Sequence, residues 1–283
     1  PASGQESPLM ANPPPAPRAF AMTTLRNDIL FLTRWVAHYG AAVGHENLFI
    51  ILDGHDQHAP GGLGPVNILR LPHREASRAR GDRRRARIMS DIARGLMRLY
   101  DIAIVTDVDE FLILDPASGQ DLVPYLASRR GAAVSALGLD VGQHMDHEAP
   151  LDPTRPFLEQ RGFAHVSARY TKPVVARRPV TWGSGMHRVK GRNFRIDPNL
   201  YLLHFGMVDA ALCAPRLRDA DRLRDGWAQH LDRRARLPDI ITRAAAHDGD
   251  DYFPRARRWQ SWMRPLSALN KPGTIPGHPV VRL

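Results

Sequence analysis

The residues best placed to do chemistry are two aspartates two positions apart, Asp107 and Asp109, which follow the run Ile102-Ala103-Ile104-Val105-Thr106. Alternate side chains of an extended chain share a face. Both carboxylates are therefore expected to project from the carboxyl end of a buried strand, the end at which open α/β sheets bind ligands. Neighbouring carboxylates repel, and a hard dication such as Mn²⁺ or Mg²⁺, which prefers oxygen ligands, cancels that repulsion. A dication held there can bridge a diphosphate and stabilise the charge that grows on a departing nucleotide. Alone, an Asp-x-Asp pair is a weak signal, and its plain alternative is a loop that caps the next turn. The apolar runs on both sides, the second being Phe111–Leu114, raise the metal reading above it.

These carboxylates need elements to position them, and the chain supplies a β/α pattern from Phe20 onward. Ala19–Leu25 is a short apolar run, predicted as a first strand, with Asn27 or Asp28 as the cap of a following helix. Ile29, Leu32, Val36 and Tyr39 share one helical face, and Gly40 is a candidate stop. Leu48–Leu52 reads as a buried parallel strand ending at Asp53-Gly54, and Val66–Leu71 as a shorter strand. Asp82–Tyr100 reads as a helix with the apolar stripe Ile88, Ile92, Leu96 and Leu99. Arg83, Arg84, Arg85 and Arg87 load its first turns against the helix dipole, which suits either solvent or a bound anion. Further strands are expected at Ala132–Leu139, Pro173–Ala176 and Leu200–Phe205. The order of strands and helices predicts an α/β fold with a mostly parallel central sheet flanked by helices. Residues 1–18 are proline-rich and read as a disordered leader, 19–215 as the main domain, and 216–283 as a basic helical and irregular C-terminal extension. In that extension Leu223, Trp227 and Leu231 mark one amphipathic helix, and the last, proline-bearing stretch looks irregular.

The segments Thr24-Leu25-Arg26-Asn27-Asp28, Trp35-Val36-Ala37-His38-Tyr39, Ile50-Ile51-Leu52-Asp53-Gly54 and Tyr100–Phe111 follow one another as in a known family. Over roughly residues 19–210 the chain resembles bacterial glycosyltransferase family 2-like proteins, in particular the branch with an Asp-x-Asp-Glu-Phe motif related to glycosyltransferase family 92. The resemblance implies a GT-A fold, a nucleotide-diphosphate-sugar donor and a divalent metal. It assigns Asp107 and Asp109 to the metal, and Thr24, Arg26 and Asn27 to the loop near the nucleotide. It places Asp53 toward the base or ribose, with a turn-forming Asp-Gly as the equal alternative. Lys172-Pro173-Val174-Val175, Gly185-Met186-His187 and Tyr201-Leu202-Leu203-His204-Phe205 also look familial. His204 matches a late histidine that completes the metal site or touches the diphosphate; a satisfied core histidine is the other reading. Lys172 reads first as a surface lysine and second as a phosphate contact.

An inverting transferase also needs a carboxylate to take the acceptor's proton. Asp146 or Glu148, in the stretch that also holds Asp140, His144 and His147, are the candidates. The chain departs from the family 2 pattern here, because it lacks a clear Glu-Asp pair.

Composition narrows the remaining choices. Hydrophobic residues make up 43% and charged residues 24%, so a core can form and wholesale disorder is excluded. A net charge of +10 favours anionic partners: nucleotides, acidic glycans or an anionic membrane surface. The single cysteine, Cys213, excludes an intramolecular disulfide. No apolar run is long enough to span a bilayer and no secretory layout opens the chain, so the expected place is the cytoplasm, with peripheral contact at the inner membrane face allowed. The acceptor is open to a glycan, a lipid-linked chain or a protein. Other classes fit less well. A haloacid-dehalogenase-like phosphohydrolase usually carries Thr or Val where this chain has Phe111. A P-loop is absent. A nucleic-acid binder has charge in its favour, but aromatic residues make up only 7% and no reader motif appears. A transferase fold degraded to a binding module is opposed by the intact Asp107 and Asp109.

Overall fold

The computed structural model describes residues 16–192, 194–262 and 270–283, so most of the proline-rich leader lies outside the described residues. Four strands build one half of the sheet: β1 (Ala19–Leu25), β2 (Leu48–Asp53), β3 (Asn67–Leu71) and β4 (Ile102–Val105). They are mutually parallel in the order β3-β2-β1-β4. Their carboxyl ends therefore open on one side of the sheet, and Arg26, Asp53 and Asp107 emerge together.

Alternation along these strands feeds two separate cores. Ala19, Ala21 and Leu25 of β1, with Ile50, Leu52, Ile102 and Ile104, face one layer. Phe20, Met22, Ile51, Ala103 and Val105 face the other. The first is covered by helix α1 (Leu32–Val43) through Leu32, Trp35, Val36 and Tyr39, and the second by α2 (Arg78–Leu96) through Met89 and Ala93. Burying one such large side chain contributes about 1.5–3 kcal/mol. Two-sided coverage is why these strands read as unbroken apolar runs.

The other half is mixed. β5 (Glu110–Leu114), the helix α3 (Leu122–Ser128), β6 (Ala133–Gly142), β7 (Phe163–Val166), β8 (Val175–Ala176) and β9 (Ile196–Met207) follow in order. β8 lies antiparallel between β4 and β6, and so joins the two halves. β9 runs parallel to β6 and antiparallel to β5. The α/β class and the helix-flanked sheet expected from the sequence are the ones observed.

Several local expectations are corrected. Asn27 and Asp28 do not cap α1, which begins after a 3-10 turn at Ile29–Phe31; Asp28 instead pairs with arginines. Gly40 does not end α1, because Gly44 with φ of 86° does. α2 starts at Arg78 and ends at Leu96, earlier at both ends than expected. In the tail, α4 (Ala210–Leu217) is followed by α5 (Ala220–Arg224) and α6 (Ala228–Ala235). Gly226, with φ of 79°, breaks the single helix expected over Leu223–Leu231 into α5 and α6. After α7 (Leu237–Arg243) come β10 (Ala246–Asp248), α8 (Gly249–Trp262) and β11 (Val280–Arg282). The last segment is therefore not wholly irregular: β11 pairs antiparallel with β7. No described helix is long and apolar enough to cross a membrane.

Candidate functional site

The carboxyl ends of β1, β2 and β4 border a cleft of about 670 Å³, within the usual range of a ligand pocket. Thr24, Arg26, Asp28, Asp53, Asp107 and Asp109 line it. Ile51, Leu71, Ile88 and Met89 form an apolar floor. Arg85 from α2, Arg216 from α4, Arg222 from α5 and Arg234 from α6 line it as well.

Helix α1 fixes the motif. The Trp35 indole donates to the Thr106 hydroxyl at 2.9 Å, directly before Asp107. The Tyr39 hydroxyl donates to the Glu110 carbonyl at 3.1 Å and accepts from the Leu112 amide at 2.8 Å. One helix face thus grips the chain on both sides of Asp107-Val108-Asp109, through a side chain before it and through backbone after it.

Both aspartates reach the cleft, and each is held by fixed cations. Lys172 Nζ donates to Asp107 Oδ2 at 3.1 Å and to Glu110 Oε1 at 2.5 Å. Lys172 is 2% exposed, which corrects the reading of a surface lysine. Its depth follows from Gly138: a Cβ there would sit 2.1 Å from the Tyr170 carbonyl carbon, so only glycine lets the 170–172 backbone lie against β6. Arg216 Nη2 donates to Asp109 Oδ2 and Asp28 Oδ2, both at 2.6 Å, and Arg222 also reaches Asp28 at 3.0 Å.

His204 sits behind Asp109, 1% exposed, with its ring stacked 3.7 Å from that of Tyr170. Strand register explains its neighbours, since His204 of β9 lies opposite Asp140 of β6 and Glu110 of β5. Its Nδ1 is 2.6 Å from Asp140, and its Nε2 is 3.4 Å from Asp109 and 3.1 Å from Arg234.

The field of these groups shifts their protonation. Burial raises the Asp107 carboxyl, but Lys172 and Arg85 outweigh it and bring it down to about 2. Burial likewise opposes ionisation of Asp109, and His204 and Arg216 override it, holding the group well below the ordinary carboxylate range. Burial lowers Lys172 and His204, and the surrounding carboxylates raise both on balance.

The remaining candidates divide cleanly. Arg26 lines the cleft, but its guanidinium is engaged by the Asp53 carbonyl, Asp56 and Asp221. Asn27 bonds Asp221 and Gln57 and so braces the same loop. Asp53 lies 3.1 Å from His73 at the cleft edge. Asp146 and Glu148 lie elsewhere. Asp146 is exposed, and Glu148 accepts from the amides of His144 and Gly162, both at 2.7 Å, as a clamp between two loops. Neither is placed to take a proton in the cleft.

A dication of the kind the motif implies does not fit these residues. Among the described residues no three His, Cys, Asp or Glu side chains converge on a point able to hold a metal ion. Asp107, Asp109 and His204 already face Lys172, Arg216 and Arg234, and an ion would have to displace them. Sequence reading missed Arg85, Arg216 and Arg234 as cleft residues, apart from the possibility left open that the arginine-rich start of α2 meets an anion.

No protein-family model matches the chain, and no curated protein matches it. Among solved structures, it is similar to a CMP:2-keto-3-deoxy-manno-octonic acid synthetase complexed with CTP. The identity is 11%, over 78% of this chain and 87% of that one, with a TM-score of 0.28. It is also similar to a mannose-1-phosphate geranyltransferase from Thermus thermophilus, at 10% identity over 94% of this chain and 73% of the other, with a TM-score of 0.29. Both scores are low; the topology and the cleft described above carry the functional reading.

Proposed function

We propose that the chain is a glycosyltransferase that moves a sugar from a nucleotide-diphosphate donor to an acceptor hydroxyl. One observation carries this reading: a cleft at the carboxyl ends of parallel strands combines an apolar floor with a ring of carboxylates and guanidinium groups around Asp107 and Asp109. The floor of Ile51, Leu71, Ile88 and Met89 suits the flat face of a base, with Asp53 at its edge. The cationic wall of Arg85, Arg216 and Arg234 suits a diphosphate, because guanidinium groups meet phosphate oxygens in a bidentate fork.

In the reaction the acceptor oxygen bonds to the anomeric carbon as the bond from that carbon to phosphate oxygen breaks. The bonding electrons leave with the nucleoside diphosphate, and the hydroxyl proton passes to a base. Fixed cations aimed at the leaving oxygen stabilise the growing charge, which is commonly the largest catalytic term. Asp109 holds Arg216 in place, and Asp107 holds Lys172 behind it. The resemblance also suggests an acceptor in surface glycan synthesis, and the net charge of +10 is compatible with an anionic acceptor or membrane face.

Thermal-shift measurements against a panel of nucleoside diphosphates and nucleotide-sugars test the reading. A shift with one nucleotide-sugar, together with release of its sugar on incubation, supports it. No shift with any of them, combined with turnover of a generic phosphate ester, replaces it with a phosphohydrolase.

A further inference from the structure

The motif that resembles a metal site is already neutralised by the protein, and this deepens the proposed function on which it rests. We infer that the cleft binds the donor's diphosphate through Arg85, Arg216 and Arg234, with Lys172 behind them, and that binding needs no divalent metal.

The charge arrangement carries this. Every carboxylate at the end of β4 is paired with a cation, some of them sharing one. Lys172 spans Asp107 and Glu110, Arg216 spans Asp109 and Asp28, and His204 spans Asp109 and Asp140. A hard dication binds best where several oxygens carry uncompensated charge at about 2.0–2.6 Å from the ion. Here Asp109 Oδ2 is 2.6 Å from a guanidinium nitrogen. Seating an ion on it would push Arg216 away and also strip Asp28 and the Gly206 carbonyl of a donor.

The guanidinium groups, by contrast, are not saturated. The Nε atoms of Arg216 and Arg234 are both buried and have no hydrogen-bond partner among the described residues. Arg234 lines the cleft and touches His204 through a single nitrogen, at 3.1 Å. Arg85 lines the same cleft and bonds only its helix neighbour Asp82, at 3.0 Å, among the side-chain partners described. Its charge lies in the field of Asp107 and Asp53. Such groups, fixed by the fold and facing one cavity, are arranged for a multiply charged anion. In this arrangement Asp107 and Asp109 are positioning residues: they hold the cations, and the cations hold the ligand.

Calorimetric titration with UDP, GDP, CDP and ADP, on wild-type protein treated with EDTA and then supplied with Mn²⁺, tests the inference. One nucleoside diphosphate is expected to bind with affinities that agree within about twofold under the two conditions. Arg234→Met is expected to weaken that binding by about 10- to 100-fold, and Arg234→Lys to restore part of it, with circular dichroism confirming that both variants fold. Binding that EDTA abolishes and Mn²⁺ restores overturns the inference while leaving the nucleotide-sugar reading intact. Absence of binding under both conditions overturns both. The wild-type arm decides the matter even if the variants do not fold.

Discussion

Two stretches of this chain are acid-rich, and the fold uses them in opposite ways. Residues 107–110 follow β4 and turn into the cleft, where each carboxylate meets a buried cation. Residues 140–148 run from the end of β6 into the loop beyond it, and only the first of their acids, Asp140, joins the same network, through His204. Asp146 and Glu148 lie beyond the strand end, one in solvent and the other clamping backbone amides. Each stretch holds three acids, so their number does not mark a site. What marks it is a strand that stops on the cleft side of the sheet with its side-chain alternation still in force.

The contrast can be broken most forcefully at Lys172. Lys172→Met leaves Asp107 and Glu110 facing each other without their buried cation, and should destabilise the fold by about 3–5 kcal/mol in urea titration. A loss below about 1 kcal/mol would mean that the pair relaxes into water and that the network is not buried as described. Next in size is Asp109→Asn. It leaves the shape almost unchanged and removes the charge that holds Arg216, so turnover of the donor should fall by about 100- to 1000-fold. Retained turnover in a steady-state assay would remove the motif from the mechanism.

On the other side of the comparison, Glu148→Gln should leave turnover within about twofold. It should cost about 1–2 kcal/mol of stability, from two weakened bonds to the amides of His144 and Gly162, read from the melting curve. Loss of turnover without loss of stability would return Glu148 to the candidate bases. A gradual effect, small for each pH unit, is expected from pH. Burial, then Arg234 and Arg169, lower the His230 imidazole to about 2. The unfolded chain binds that proton below about pH 6.5 while the folded chain does not, so stability should decline as pH falls from about 6.5 toward about 3. His230→Gln should flatten this decline by about 1 kcal/mol per pH unit, the full one-proton slope being reduced by partial solvent screening. An unchanged slope would show that the imidazole charges within the fold.

The parallel half of the sheet was legible because its signals are local. Ile102–Val105 and Leu48–Leu52 are short apolar runs that must be covered on both faces, and Trp35, Val36 and Tyr39 recur on one helical face. Boundaries were less legible. Asp28 looks like a helix cap and instead neutralises Arg216 and Arg222, 188 and 194 residues further along the chain. Gly226 splits one apparent helix into two because its positive φ interrupts the turn. Val280–Arg282 became a strand because β7 and β10 offered it partners on either side.

By itself the sequence determined that two carboxylates stand where a core strand ends, since a period-two pattern and an apolar run are properties of adjacent residues. Whether those carboxylates face a metal or an arginine was decided by tertiary structure alone. The partners are Lys172, 65 residues from Asp107, and Arg216, 107 residues from Asp109. Nothing in its own neighbourhood distinguishes Arg216 from the rest of the 39 lysines and arginines, and the familial look of Lys172-Pro173-Val174-Val175 does not say that Lys172 is buried against Asp107. A charge acquires its role from what lies across the cavity, and the path of the chain through the sheet sets that.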